Sequence, residues 1–136
     1  MTKSAGLFMS LVVSAFMLAG LAAGPVMAQD KGKDTKAAPP SYQGDPSVYK
    51  VIFEDKNFRV IELLRKKGVH DKPHGHPLPF VSYALNDCTS KNYAADGKAR
   101  EVTAKAGTSR AGTVLASHSV ETTGTADCHS ILVERK

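Results

Sequence analysis

After a continuous apolar opening, the chain changes to short runs in which apolar and polar residues alternate, the period of a half-buried β-strand. Eight such runs are predicted as strands, at residues 49–53, 58–65, 80–85, 90–94, 98–104, 114–116, 118–122 and 128–134. Turn signals separate them: residues 54–57, Lys66-Lys67-Gly68, the Asp96-Gly97 pair expected of a tight hairpin, and Gly107 and Gly112. No ten-residue stretch after the opening holds a helical stripe, and no internal repeat is present. This pattern predicts an all-β sandwich or barrel. Its core is expected to form from Phe53, Phe58, Ile61, Leu63, Phe80, Tyr83, Leu85, Val114, Ile131 and Val133. His129 shares the parity of Ile131 and Val133 and is expected to point inward with them. Glu62, Glu101, Glu121 and Glu134 read as solvated strand residues.

The opening itself has the form of a secretory signal peptide over residues 1–28. Lys3 supplies the positive start, an uncharged apolar run follows, and Val26-Met27-Ala28 meets the small-residue cleavage rule, placing the cut after Ala28. The alternative is an uncleaved leader, the only tie to a membrane that the sequence offers, since the run is just long enough to span about 30 Å of hydrocarbon. Gly20, Gly24 and Pro25 at its end favour cleavage. No Cys lies near the cut, so a lipid-anchored form is not expected. Residues 29–44, charged at first and then Ala- and Pro-rich, read as a flexible linker, and residues 45–136 as the folded domain. The protein is thus expected to be exported, periplasmic or secreted.

Charge excludes one large class of partners. The net charge is +5, but basic and acidic residues are interspersed, with no dense basic stripe. Trp is absent and aromatics are few, so there is no stacking platform, and nucleic acid is not an expected partner.

Gly68-Val69-His70-Asp71-Lys72-Pro73-His74-Gly75-His76 has a Gly, five residues and then His-x-His, and it resembles the first cupin motif. Gly107 precedes His118 by eleven positions, the spacing that the second cupin motif uses between its opening Gly and its metal-binding His. The resemblance covers residues 49–136. It implies a single cupin-type antiparallel β-barrel, a double-stranded jelly roll, with a site inside the wider mouth. Two departures accompany the match. Phe80 and Val81 stand where the first motif carries its Glu, and Thr113, Leu115 and Thr122 stand where the second carries Pro, Gly and Asn. The family's ligand set of three His and one Glu is therefore incomplete.

His74 and His76 are two apart and leave one face of a strand, and His118 alongside would complete a three-imidazole site. Imidazole suits zinc, iron, nickel and copper, and manganese is also a candidate; affinity should fall as pH drops through the His range near 6.5. The plainer reading is three hydrogen-bonded His at a barrel mouth with no metal. His70 either lends a fourth nitrogen or is solvated. In an oxidising compartment Cys88 and Cys128 are expected to form a disulfide, with separate thiols or Cys ligands as the other arrangements. No catalytic triad, phosphate-cradling loop or paired-carboxylate spacing is present, so no catalytic residue is assigned. Three functions fit: a metal-dependent enzyme acting on a small molecule, a non-catalytic module binding one without metal, and a protein that forms a homodimer through an exposed barrel face.

Overall fold

Every predicted run becomes a strand, and two more strands appear. The computed structural model describes residues 37–136; the leader and residues 29–36 lie outside the described residues. The strands are β1 (Tyr49–Glu54), β2 (Phe58–Arg65), β3 (His74–His76), β4 (Phe80–Ala84), β5 (Cys88–Ala94), β6 (Ala99–Ala104), β7 (Ser109–Gly112), β8 (Leu115–Thr122) and β9 (Cys128–Arg135), preceded by one helical turn, α1 (Ser41–Gly44). They form a five-stranded sheet in the order β1-β2-β9-β4-β7 and a four-stranded sheet in the order β3-β8-β5-β6, with every named pairing antiparallel. This is the jelly-roll arrangement.

β3 and β7 lie outside the eight runs; β3 is only the three residues His74–His76, whose spacing puts both imidazoles on one strand face. β7 is four residues long and has no large apolar side chain, so Gly112 ends a strand instead of marking a turn. The two runs expected at 114–116 and 118–122 are one continuous strand, β8. The linker expectation also fails at its end. Ala38 N donates to Ala116 O at 3.0 Å, Gly75 N donates to Pro39 O at 2.8 Å, and Ser41 is buried, so residues 38–44 belong to the folded body.

The apolar core is small: Val48, Tyr49, Ile61 and Leu132, with Tyr42, Val51, Leu63 and Phe80 packed against it. On β9 the inward residues are Cys128, Ser130, Leu132 and Glu134, while His129, Ile131 and Val133 face outward. The expected parity is inverted. Ile131, Leu132 and Val133 are consecutive, so apolarity alone does not say which of them faces in, and a one-residue choice flips the whole strand. His129 accordingly lies half-exposed against Glu62 Oε1 at 2.9 Å. Phe53, Phe58, Tyr83, Leu85 and Val114, expected in the core, are also exposed.

Glu134, expected to be solvated, is fully buried and paired with Arg59 Nη1 at 2.9 Å. Burial raises its carboxyl above the ordinary range, and the Arg59 contact opposes that rise.

A Cys88–Cys128 disulfide joins β5 of one sheet to β9 of the other. It closes a loop with a sequence separation of 40, which in the chain-entropy model stabilises by about 3–4 kcal/mol. Replacing both cysteines by Ala should therefore lower the unfolding free energy by about that amount. Urea denaturation with and without reductant checks this: the wild type under reduction should match the variant, and the variant should not respond to reductant.

Candidate metal centre

β3 consists only of His74, Gly75 and His76, all buried. It pairs with β8, His74 opposite His118 and His76 opposite Leu115, with an irregularity between. Gly75 is required here by space. A Cβ at this position would lie 2.8 Å from Ala116 O and 3.2 Å from Ala38 O, because the strand is closed in by β8 on one side and by residues 38–40 on the other. Any larger residue would push the two chains apart and carry His74 and His76 with them.

The three imidazoles meet. One ring nitrogen from each of His74, His76 and His118 falls within 4.8 Å of the others, and no carboxylate or thiol joins the group among the described residues. His76 Nε2 lies 3.2 Å from His118 Nε2. The rings of His74 and His118 are 4.4 Å apart and edge-on. His70 is elsewhere: exposed, 2.9 Å from Ser119 Oγ and stacked on Tyr93.

His74 is oriented from several directions. Its Nδ1 hydrogen-bonds Lys72 O at 2.8 Å, which fixes the tautomer that leaves Nε2 with its lone pair toward the group. Its ring packs on Tyr49 at 4.7 Å. The preceding loop is pinned by Asp45 Oδ2, which accepts from Lys72 N, and by Asp71. Asp71 Oδ1 accepts from Val120 N at 2.6 Å, and Oδ2 accepts from Tyr49 Oη at 2.8 Å and Arg65 Nη1 at 2.9 Å. Burial, and after it the Asp71 charge, push the Tyr49 hydroxyl well above its ordinary value, so it remains a donor. Sequence reasoning passed over Tyr49, Arg65 and Asp71. The usable signal was Arg65, which shares strand parity with Ile61 and Leu63 and so had to turn inward.

The group fits a metal ion. His74 Nε2 is buried with no hydrogen-bond partner among the described residues, and a buried imidazole nitrogen left unpaired is costly. Two imidazoles on one transition-metal ion at about 2.1 Å sit roughly 3.0–3.4 Å apart, which brackets the spacing of His76 and His118. Phe80, in the place where the family motif carries Glu, instead lays its ring on His76 at 4.5 Å. Glu134 is turned inward but lies outside the group and is held by Arg59.

The imidazoles are neutral at physiological pH. Burial, then the proximity of His118 and His74, holds His76 down to about 3; burial, then His74 and Arg65, holds His118 to about 3; burial lowers His74.

The architecture is that of solved cupins. A cupin domain from Bordetella pertussis Tohama I superposes with a TM-score of 0.61 at 15% identity, over 73% of this chain and 96% of that one. A cupin family protein from Methanocaldococcus jannaschii with a double-stranded β-helix fold superposes at 0.53, with 9% identity over 76% and 84% of the two chains. No protein-family model and no curated protein matches the sequence. The chain has the cupin fold.

The depressed imidazoles set a pH dependence. A His in the unfolded chain titrates near 6.5, whereas in the folded protein His76 and His118 stay neutral down to about 3. Unfolding therefore takes up protons below about pH 6.5, and stability falls as pH drops through that window. Glu134, raised by burial, acts in the opposite sense, so the comparison is made against a variant. His76→Asn should show a shallower loss of denaturation midpoint between pH 7.5 and pH 5.5 than the wild type.

Proposed function

We propose that this is an exported domain that binds a divalent transition metal through His74, His76 and His118 and holds a small molecule in the barrel beside it. The observation that carries the reading is the grouping of three neutral imidazoles, His74 and His76 buried and His118 half-buried, with His74 Nε2 unpartnered and with His76 and His118 lining an interior cavity. The disulfide favours an address outside the cytoplasm, periplasmic or secreted.

When bound, such an ion supplies a Lewis acid with coordination positions open to water or substrate. His74, His76 and His118 would hold it, Lys72 O keeps the His74 ring in its tautomer, and Phe80 screens one side of His76 from solvent. No carboxylate offsets the charge of the ion in the group itself; the Asp71 carboxylate, whose Oδ1 lies 3.7 Å from His74 Nδ1, is already paired through Oδ2 with Arg65. Affinity should therefore be lower than that of a site with an anionic ligand. The same cavity without a metal is a small-molecule binding module.

Calorimetric titration of metal-free protein with zinc, manganese, iron(II), nickel and copper separates the two readings. His76→Ala should reduce zinc affinity by at least about 100-fold, while His70→Ala should stay within about twofold. Because the ligands are already neutral in the folded protein, zinc affinity at pH 5.5 should stay close to that at pH 7.5, which moves the sensitive window below the 6.5 expected from sequence. No binding of any of these metals would leave the non-metal module.

The chain also carries the means to form a homodimer. Phe53, Val60, Val133, Val81 and Ala111 are in register as one apolar row across all five strands of the larger sheet, on its outer face. Phe53, Val81, Tyr83 and Leu85 there are exposed. Such a face calls for a cover. Glu62 on the same face lies 2.9 Å from His129 Nε2 and opposite Lys50 in the register, and a second copy could lie on this face two-fold. Val81→Asp should convert a dimer to a monomer in sedimentation velocity with zinc affinity intact; a wild type that stays monomeric at every concentration refutes the pairing.

A further inference from the structure

The barrel interior beyond the His group is a cavity of about 360 Å³, bounded by both sheets. Its charge is one-sided. Arg65, Arg100 and Arg110 line it, and no Asp or Glu does among the described residues. Arg65 is neutralised by Asp71 at 2.9 Å. Arg100 and Arg110 take part in no ion pair among the described residues.

These two arginines come from opposite sheets. Arg100 lies on β6 opposite Asn92 of β5, and Arg110 lies on β7 opposite Ser82 of β4. β6 and β7 are the edge strands on the same side of the jelly roll, joined by residues 105–108. Each guanidinium thus has a neutral hydrogen-bonding neighbour across its strand, at the open seam of the barrel. The rest of the lining includes Phe80, Val102, Leu115 and Leu132, a hydrocarbon wall.

We propose that this cavity binds a small organic carboxylate, gripped by Arg100 and Arg110. The proposal rests on reading the barrel interior as the ligand site, but not on the metal. Arg100 and Arg110 are themselves exposed at the open seam, and two guanidiniums without ion pairs at the mouth of a partly enclosed space attract anions and repel cations. A guanidinium matches a carboxylate through two parallel N–H···O bonds, and a neutral sugar or amide cannot replace that charge. The apolar wall has no use for an inorganic ion but covers a carbon skeleton. The volume has room for on the order of ten water-sized groups, which suits a short mono- or dicarboxylate.

The test is calorimetric titration of the purified chain, metal-free and zinc-loaded, with acetate, succinate, glutarate, inorganic phosphate and the neutral diamide succinamide. At least one carboxylate should bind the metal-free protein, and succinamide should bind at least about tenfold more weakly than succinate. Phosphate should bind more weakly than the best carboxylate, and raising salt should weaken carboxylate binding. Arg100→Gln and Arg110→Gln should each reduce carboxylate affinity by about tenfold while leaving the zinc isotherm and the unfolding midpoint unchanged. Succinamide binding as tightly as succinate, phosphate binding tightest, or unaltered carboxylate affinity in both Arg variants would overturn the proposal. So would the failure of all three carboxylates to bind the wild type at about 10 mM. Carboxylate binding with no zinc binding would overturn the metal reading alone, and zinc binding with no carboxylate binding would overturn this inference alone.

Discussion

The Asp71 carboxylate is the point on which the site depends. It receives the Tyr49 hydroxyl from β1, the Arg65 guanidinium from β2 and the Val120 backbone N–H from β8, so one buried anion ties both sheets to the loop that carries His74. Arg65 in turn donates Nε to Thr122 Oγ1 at 3.0 Å, a second link from β2 to β8. Such a network gives little net stability relative to a well-packed apolar core, but removing one partner leaves a buried charge uncompensated and costs about 3–5 kcal/mol. Its value lies in position. The same carboxylate that closes the barrel at this end also sets the height of the first imidazole, so the fold and the site cannot drift independently.

The strand pattern and the His spacing were both legible in the sequence, for a simple reason: each depends on residues near one another in the chain. Phe58–Arg65 was readable to the residue because its apolar positions lie between Asn57 and Lys66-Lys67-Gly68, strong local punctuation. The pairing of His74 with His118 was carried by motif spacing. What was not legible was inside versus outside. On β9 three consecutive apolar residues hide the parity, and the structure turns Glu134 inward and Val133 outward. The polar interior explains the failure. Arg65, Ser90, Ser130 and Thr122 are buried where a core rule expects Leu or Val, so hydrophobicity stops being a guide to burial wherever a barrel keeps a cavity.

That inversion also redistributes the apolar surface. A jelly roll with a polar, cavity-bearing interior cannot bury all of its Val, Ile and Phe within itself, and here much of the surplus, Phe53, Val81, Tyr83 and Val133 among it, sits on the outer face of the five-stranded sheet. The stabilising contribution that a filled core would make is supplied partly by the inter-sheet disulfide.

The way the chain enters the domain has a mechanical consequence. Ala38 and Pro39 are bonded to β8 and to Gly75, so the first described residues of the fold form a third rung beside the strand that bears His74 and His76. A load applied ahead of Ala38, whether by a surface attachment or by a fused protein, is transmitted along this rung and meets its resistance at the imidazoles before it reaches the core. Anchored from that end, the molecule would behave as a force gauge whose most sensitive part is its own histidine group, whereas a pull at Lys136 acts first on the contacts of its side chain with Glu54 and Asp55.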